Sequence, residues 1–239
     1  MAEYLFISDL HCCAEQPEIT ALFLKFLKQR AVGARALYIL GDLFDVWVGD
    51  DDPTPPNLEI IAGLKALNES GTPLFIIVGN RDFLLSHDFE QATGAQILAD
   101  ESCLDLFGIP TLLMHGDQLC TDDLQYQQVR LQMRQPEMME QLLAKSLTER
   151  HALAKQYRQI SGEATSLLAD DIMDVNAEAV EQVMVQYQAK RLIHGHTHRQ
   201  NIHSLAPEKE RIVLGEWHPN QGSVLVVKQD SVTFESYKP

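Results

Sequence analysis

The feature that most constrains this 239-residue chain is a repeated coupling, in which a short apolar run ends and a cluster of Asp, His, Asn and Gly follows at once. Tyr4–Ser8 leads into Asp9-Leu10-His11, Ala36–Leu40 into Gly41-Asp42, and Leu74–Val78 into Gly79-Asn80-Arg81-Asp82. Thr111–Met114 leads into His115-Gly116-Asp117, and Arg191–His194 into Gly195-His196-Thr197-His198. Apolar runs of this length read as buried strands. Strands alternating with amphipathic helical stretches fit an α/β domain, and open α/β sheets keep their ligand sites at strand ends.

Between the first two runs, Ile19, Leu22, Phe23, Phe26 and Leu27 recur at helical spacing from Pro17 to Arg30, and Gly33 is placed to end that helix. The C-terminal part changes character: Asn201–Leu205, Arg211–Leu214, Ser223–Lys228 and Val232–Tyr237 are strands with only turn residues between them. A mixed pair of sheets flanked by helices is expected, in one domain spanning 1–239. Residues from about 122 to 176 break the rhythm. They form helix throughout, with Pro136 and Gly162 as the strong interruptions, and read as a helical cap insertion.

The net charge of −15 argues against nucleic acid as a partner, so an anionic ligand needs a locally positive site. Four cysteines without a CxxC pair read as free thiols. The start carries Glu3 and no basic region ahead of a long apolar stretch, unlike a secretory signal, and no apolar run approaches the roughly 20 residues of a spanning helix. A cytoplasmic protein, at most peripheral to a membrane, is the expectation.

In an extended chain residues i and i+2 face the same way, so Asp9 with His11, and His196 with His198, can each aim two donors at one place. With Asp42, Asn80 and His115 these make two carboxylates, four imidazoles and an amide, too many ligands for one transition ion. A pair of cations sharing Asp42, roughly 3.5–4 Å apart, fits better and would hold a hydroxide for in-line attack on phosphorus. Two divalent ions outweigh two carboxylates, so the centre stays positive and, with Arg81, attracts a phosphate ester despite the acidic surroundings. His194 reads as a core or supporting histidine, while His87, His151, His203 and His218 default to structural or surface roles. Asp82 and Asp117 read as orienting their neighbours, and Asp50, Asp51 and Asp52 as a solvated turn. Cys12 and Cys13 read as buried, inert thiols.

Asp9-x-His11, Gly41-Asp42, Gly79-Asn80, His115 and Gly195-His196-Thr197-His198 together resemble the signature of the calcineurin-like metallophosphoesterases. The resemblance implies an α/β/β/α sandwich with a two-metal centre. It assigns Asp9, His11, Asp42 and His198 to one ion, and Asp42, Asn80, His115 and His196 to the other. Many members place a catalytic histidine after the asparagine, where this chain has Arg81, which favours a subgroup. Tyr38-Ile-Leu-Gly-Asp-Leu-Phe-Asp, Gly79-Asn-Arg-Asp-Phe-Leu-Leu, His115-Gly-Asp-Gln-Leu-Cys-Thr-Asp-Asp and Ile193-His-Gly-His-Thr-His-Arg resemble the subgroup that hydrolyses UDP-2,3-diacylglucosamine in lipid A biosynthesis.

That resemblance implies two Mn²⁺, attack at the α-phosphorus, release of UMP and lipid X, and work at the cytoplasmic face of the inner membrane. It implies catalytic roles for Asn80, Arg81 and His115, and substrate contacts from Asn80, Arg81, Asp123, Arg158, Ser161, Thr165 and His196. Leu168 stands where some relatives carry lysine. In the cap, Met133, Met138, Met139, Leu142, Leu143 and Leu153 could line a slot for the acyl chains of such a substrate, each buried methylene being worth about 0.8 kcal/mol. Gln128–Ile160 holds six basic and three acidic residues, a net of +3 that could face anionic headgroups. Two rival readings share the motifs: a phosphodiesterase or pyrophosphatase on a soluble nucleotide, which would not need the apolar cap, and a metal-poor binding scaffold, which would bind no transition ion.

Overall fold

The computed structural model describes residues 3–165 and 174–239, with the backbone alone from 160 to 165. Its strands are β1 (Tyr4–Ile7), β2 (Ala36–Leu40), β3 (Leu74–Ile77), β4 (Gln96–Ile97), β5 (Ser102–Leu106), β6 (Ile109–Leu113), β7 (Arg191–His194), β8 (Asn201–Ala206), β9 (Lys209–Val213), β10 (Gly222–Val227) and β11 (Val232–Tyr237). The helices are α1 (Pro17–Gln29), α2 (Asn57–Glu69), α3 (His87–Thr93), α4 (Leu124–Met133), α5 (Pro136–Leu143), α6 (Leu147–Thr165) and α7 (Ala177–Gln186). One sheet runs β11-β10-β1-β2-β3-β4 and the other β5-β6-β7-β9-β8. Strands β1 to β4 are parallel, as are β6, β7 and β9.

Strand alternation sorts the apolar side chains into three cores and so defines four layers. Leu5, Ile7, Leu37 and Ile39 face Phe23, Phe26, Ile60 and Leu64 of α1 and α2. The intervening Phe6, Tyr38 and Leu40 meet Leu113, Ile193 and Ile212 of the second sheet. On the far side of that sheet, Leu112 and Leu192 pack on Val180, Val183 and Met184 of α7. The result is the α/β/β/α sandwich. Two strands in it, β4 and β5, had no counterpart in the sequence reading.

Helix α1 begins with Pro17 in its first turn, where the missing N–H costs nothing, and buries Ile19, Leu22, Phe23, Phe26 and Leu27. Gly33 does not end it. The helix closes at Arg30, whose N–H bonds Phe26 O, and Gly33 lies beyond, its N–H donating to the Thr72 hydroxyl.

The cap segment departs from expectation at some of its breaks. Pro136 does mark a break, since α4 ends at Met133 and α5 starts at Pro136, whereas Gly162 lies within α6 without interrupting it. A second break precedes α6, where Ser146 and Glu149 form a capping box: Ser146 N–H donates to Glu149 Oε2 at 2.9 Å and Glu149 N–H to Ser146 Oγ at 3.4 Å. Two ion pairs and a histidine–carboxylate contact hold α6 on the body among the described residues. Arg150 pairs with Asp51 at 2.6 Å, His151 with Asp52 at 3.1 Å and Arg158 with Asp45 at 2.6 Å.

The acidic run keeps the expected exposed turn at Asp51 but not at its neighbours. Asp52 is buried and accepts from Thr54 and Asn57, while Asp50 accepts from the Trp47 indole, Ser86 and Phe89 N–H at the start of α3. Asp50 and Asp52 are thus held by hydrogen bonds, while Asp51 stays at the surface, 61% exposed and paired with Arg150.

Candidate metal centre

All five polar clusters reach the same end of the sandwich, at the C-terminal ends of β1, β2, β3, β6 and β7. Cross-strand bonding continues past the strands and fixes the loops against one another. Leu10 N–H and His11 N–H both donate to Asp42 O, at 2.9 and 3.0 Å, and Gly195 N–H donates to His115 O at 2.8 Å. Asp82 clamps the β2 and β3 loops, its carboxylate accepting from Gly79 N–H at 2.7 Å and Leu43 N–H at 2.8 Å.

The pairing of Asp9 with His11, and of His196 with His198, does not arise from an extended chain. All four residues lie past their strands with positive φ, at 54°, 51°, 67° and 56°, and Asp42 has 52°. Five left-handed non-glycine residues in one site cost on the order of 1 kcal/mol each. Alternate left-handed residues, not strand pleating, turn both side chains toward the centre. The glycines serve close packing: Gly41 has φ 90°, and a Cβ there would run into the His115 ring, while one at Gly195 would strike the Asp9 carboxylate.

The donors fall into two groups that meet at Asp42. In the first, His198 Nε2 lies 3.3 Å from Asp9 Oδ1 and 3.5 Å from His11 Nε2. His198 Nδ1 is 3.0 Å from Glu216 Oε2, a contact that orients the ring with Nε2 facing Asp9 and His11. Burial, with help from the His198, Arg81 and His115 charges, lowers the His11 pKa to about 4, so this ring presents a lone pair. In the second group Asn80 Oδ1 lies 3.0 Å from both His115 Nε2 and His196 Nδ1. His115 donates from Nδ1 to Leu40 O at 2.8 Å, so its Nε2 faces inward. Asp42 spans the two groups, with Oδ2 4.0 Å from His11 Nε2 and Oδ1 3.7 Å from His115 Nε2.

These distances are a test of whether the residues fit metal ions. Lone pairs of an amide oxygen, imidazoles and carboxylates crowd together with too few protons between them, which is stable only around an electrophile. Without such an electrophile the same groups would favour a proton. Burial pushes His115 down, but the Asp42, Asp9 and Asp117 carboxylates outweigh it and raise the ring to about 9. Burial and the neighbouring Asp82 and Asp9 charges likewise raise Asp42. Burial alone would also raise Asp9, yet its hydrogen bond from His198 and the His115 charge take its carboxyl well below the usual range. Asp9, His11 and His198 form one group of possible metal ligands, and Asp9, Asp42 and His115 another. The donor set fits divalent cations.

The structure brings together every residue read as a ligand: Asp9, His11, Asp42, Asn80, His115, His196 and His198. Arg81 joins them, its backbone N–H donating to Asp42 Oδ1 at 2.9 Å, and among the described residues its guanidinium is in no ion pair. His194 is fully buried against Gly116, its pKa lowered by burial to about 3. The outer contacts are less uniform. Asp123 spends an oxygen on capping α4, accepting from Tyr126 N–H at 2.9 Å, and Arg158 is held by Asp45. The side chains of Ser161 and Thr165, and all of Leu168, lie outside the described residues. Sequence reasoning missed Glu216, Asp45 and the arginine pairings of α4. Of the cap's basic residues, Arg130, Arg134, Arg150 and Arg158 pair with Asp117, Asp100, Asp51 and Asp45, so most of the segment's positive charge points inward instead of toward headgroups.

A four-layer sandwich with acid, imidazole and amide donors converging at its strand ends is the architecture of a metal-dependent phosphoesterase. The chain belongs to the calcineurin-like phosphoesterase family, whose Metallophos profile matches residues 3–200. Among curated proteins it is 48% identical over 231 residues to the UDP-2,3-diacylglucosamine hydrolase of Serratia proteamaculans (strain 568), covering 95% of this chain and 96% of that protein. The UDP-2,3-diacylglucosamine hydrolase of Escherichia coli O7:K1 is also 48% identical, with the same coverage. A solved archaeal phosphodiesterase shares the fold, at TM-score 0.51 and 12% identity over 99% of both chains.

Proposed function

We propose that this chain hydrolyses UDP-2,3-diacylglucosamine at the α-phosphorus, releasing UMP and lipid X, with two Mn²⁺ held by Asp9, His11, Asp42 and His198 on one side and Asp42, Asn80, His115 and His196 on the other. The observation that carries the reading is the split of the donors into two groups meeting at Asp42, in a chain 48% identical over almost its whole length to hydrolases of that name. When bound, a pair of divalent cations lowers the pKa of an attacking water and offsets charge on both oxygens of an in-line displacement.

The chain's own groups then bind and orient. Arg81, with its backbone fixed to Asp42 and its guanidinium in no ion pair among the described residues, takes a phosphate oxygen and offsets charge as it develops. Asn80 turns its amide oxygen toward His115 and His196, which leaves its Nδ2 as a donor to the substrate. Burial, together with the His115 charge, lowers His196 to about 4, so this ring stays neutral and keeps its lone pair for the centre. Arg158 reaches a substrate anion by leaving Asp45, and Asp123, Ser161 and Thr165 complete the contacts.

The reading extends to peripheral attachment at the cytoplasmic face of the inner membrane. Leu124, Val129, Leu131, Leu143 and Tyr157 are exposed on the cap helices, and among the described residues no helix is long and apolar enough to cross a membrane. In contrast, Leu142 is buried and Met139 packs on the core beneath α1 and α2, so part of the Met- and Leu-rich face serves to hold the cap down.

Incubation with Mn²⁺ and UDP-2,3-diacylglucosamine in ¹⁸O-labelled water tests the step. The label is expected in UMP, and label in lipid X would overturn attack at the α-phosphorus.

A further inference from the structure

Helix α4 has no buried residue, so apolar packing does not hold it in place. Polar side chains on a single stripe do. Tyr126, Arg130 and Arg134 follow one another at i, i+4 and i+8 and therefore share a face. The Tyr126 hydroxyl donates to Asp117 Oδ2 at 2.8 Å, and Arg130 Nε donates to the same oxygen at 2.7 Å. Arg130 Nη2 and Arg134 Nη1 both reach Asp100, at 2.8 and 3.0 Å, and Arg134 Nη2 donates to Gly79 O at 3.0 Å.

The destinations of these bonds are not scattered. Gly79 directly precedes Asn80. Asp117, fully buried, stands two residues after His115 in the same tight loop. The Tyr126 ring lies 5.9 Å from the His196 ring at 31°. One helical stripe thus bears on Asn80, His115 and His196, which are the three groups assigned to the second cation apart from the shared Asp42. The described residues give it no contact with Asp9, His11 or His198.

We infer that Tyr126, Arg130 and Arg134 are positioning residues for the second cation, so that its binding depends on where α4 lies, while the first cation binds independently of the helix. The inference rests on the two-cation reading above. Arg134 fixes the peptide from which Asn80 projects, and Arg130 with Tyr126 fixes the loop from which His115 projects. Partners of this kind typically carry a 10–100-fold effect on metal affinity when removed. The alternative is a staple that only holds the fold together, which would act on both sites alike or on neither.

The test is Mn²⁺ titration into chelator-treated full-length protein, followed by calorimetry and by electron paramagnetic resonance, which separates isolated from spin-coupled ions. Wild type is expected to bind two Mn²⁺, and His196→Ala marks which affinity belongs to the second site. Arg134→Met and Arg130→Met should weaken that affinity about 10- to 100-fold, lose the coupled signal, and leave the other affinity within about twofold. Arg134→Lys keeps the charge but not the fork that spans Asp100 and Gly79 O, and should weaken the same step by about 3- to 10-fold. It decides the question should either Met variant fail to fold by circular dichroism. Two unchanged affinities, or two equal losses accompanied by a lowered melting temperature, would overturn the inference. A wild type that binds one Mn²⁺ would remove the two-cation reading itself, whatever the variants do.

Discussion

Asp82 offers the sharpest check on how the centre is held together. It is fully buried and joins the loop that carries Asp42 to the loop that carries Asn80. Its short bonds come from Gly79 N–H at 2.7 Å and Leu43 N–H at 2.8 Å, with longer contacts from Asp42 N–H at 3.4 Å and Phe44 N–H at 3.5 Å. Asp82→Ala strands two short donors where water does not reach, at about 1–3 kcal/mol each. Asp82→Asn keeps the shape and one acceptor oxygen but turns an NH₂ toward the other donor, so about half of that loss applies. Burial raises the Asp82 pKa, so removing its charge gives part of the cost back. The net expectation is about 2–4 kcal/mol for Ala and about 1–2 kcal/mol for Asn. In a chain of this size each kcal/mol moves the melting temperature by about 2–4 °C, so Ala should lower it by at least about 4 °C and Asn by about 2–8 °C. Calorimetry belongs on the chelated protein, since bound cations add stability by mass action. An Ala variant that melts within 1 °C of wild type would refute the clamp.

Three further outcomes follow from the geometry. Glu216→Gln removes the anion that orients His198 and should weaken binding of the cation at Asp9, His11 and His198 by about 10- to 100-fold in a metal titration; unchanged affinity would show that His198 needs no such support. Asp45→Asn releases Arg158 from a 2.6 Å pair in which the arginine is 48% exposed. A pair that open is worth about 0–1 kcal/mol, so KM should fall by no more than about fivefold; a rise in KM would mean that Asp45 aims Arg158 instead of withholding it. Burial pushes the Cys12 and Cys120 thiols up to about 12, whereas Cys103 is exposed. At pH 8 a thiol reagent should modify Cys103 in the native protein and reach Cys12 and Cys120 only after denaturation; early labelling of Cys12 would contradict its place in the core.

Much of the centre could be read from the chain because its ligands sit directly after apolar strands, where sequence position and spatial position coincide. Asp9, Asp42, Asn80, His115 and His196 all belong to that class. The backbone that aims them was not legible: Asp and His enter the left-handed region more readily than most residues, but it is still the minority conformation, so residue type alone does not announce it. The partners contributed by distant segments were not legible either. Glu216 is far in sequence from the histidine it orients, and Arg150 finds Asp51 only once α6 has docked. Strand β4 is two residues long and β5 alternates exposed polar with apolar positions, so neither announces itself as a buried run. One miss had a signal: Ser146-Leu147-Thr148-Glu149 carries the capping-box spacing that starts α6.

The central claim is that Asp42 lies between two cations, and anomalous diffraction from Mn²⁺-loaded crystals reaches it most directly. The account expects two manganese peaks about 3.5–4 Å apart, one beside Asp9, His11 and His198, the other beside Asn80, His115 and His196, with an Asp42 oxygen touching both. A single peak, or two peaks of which only one contacts Asp42, would contradict it.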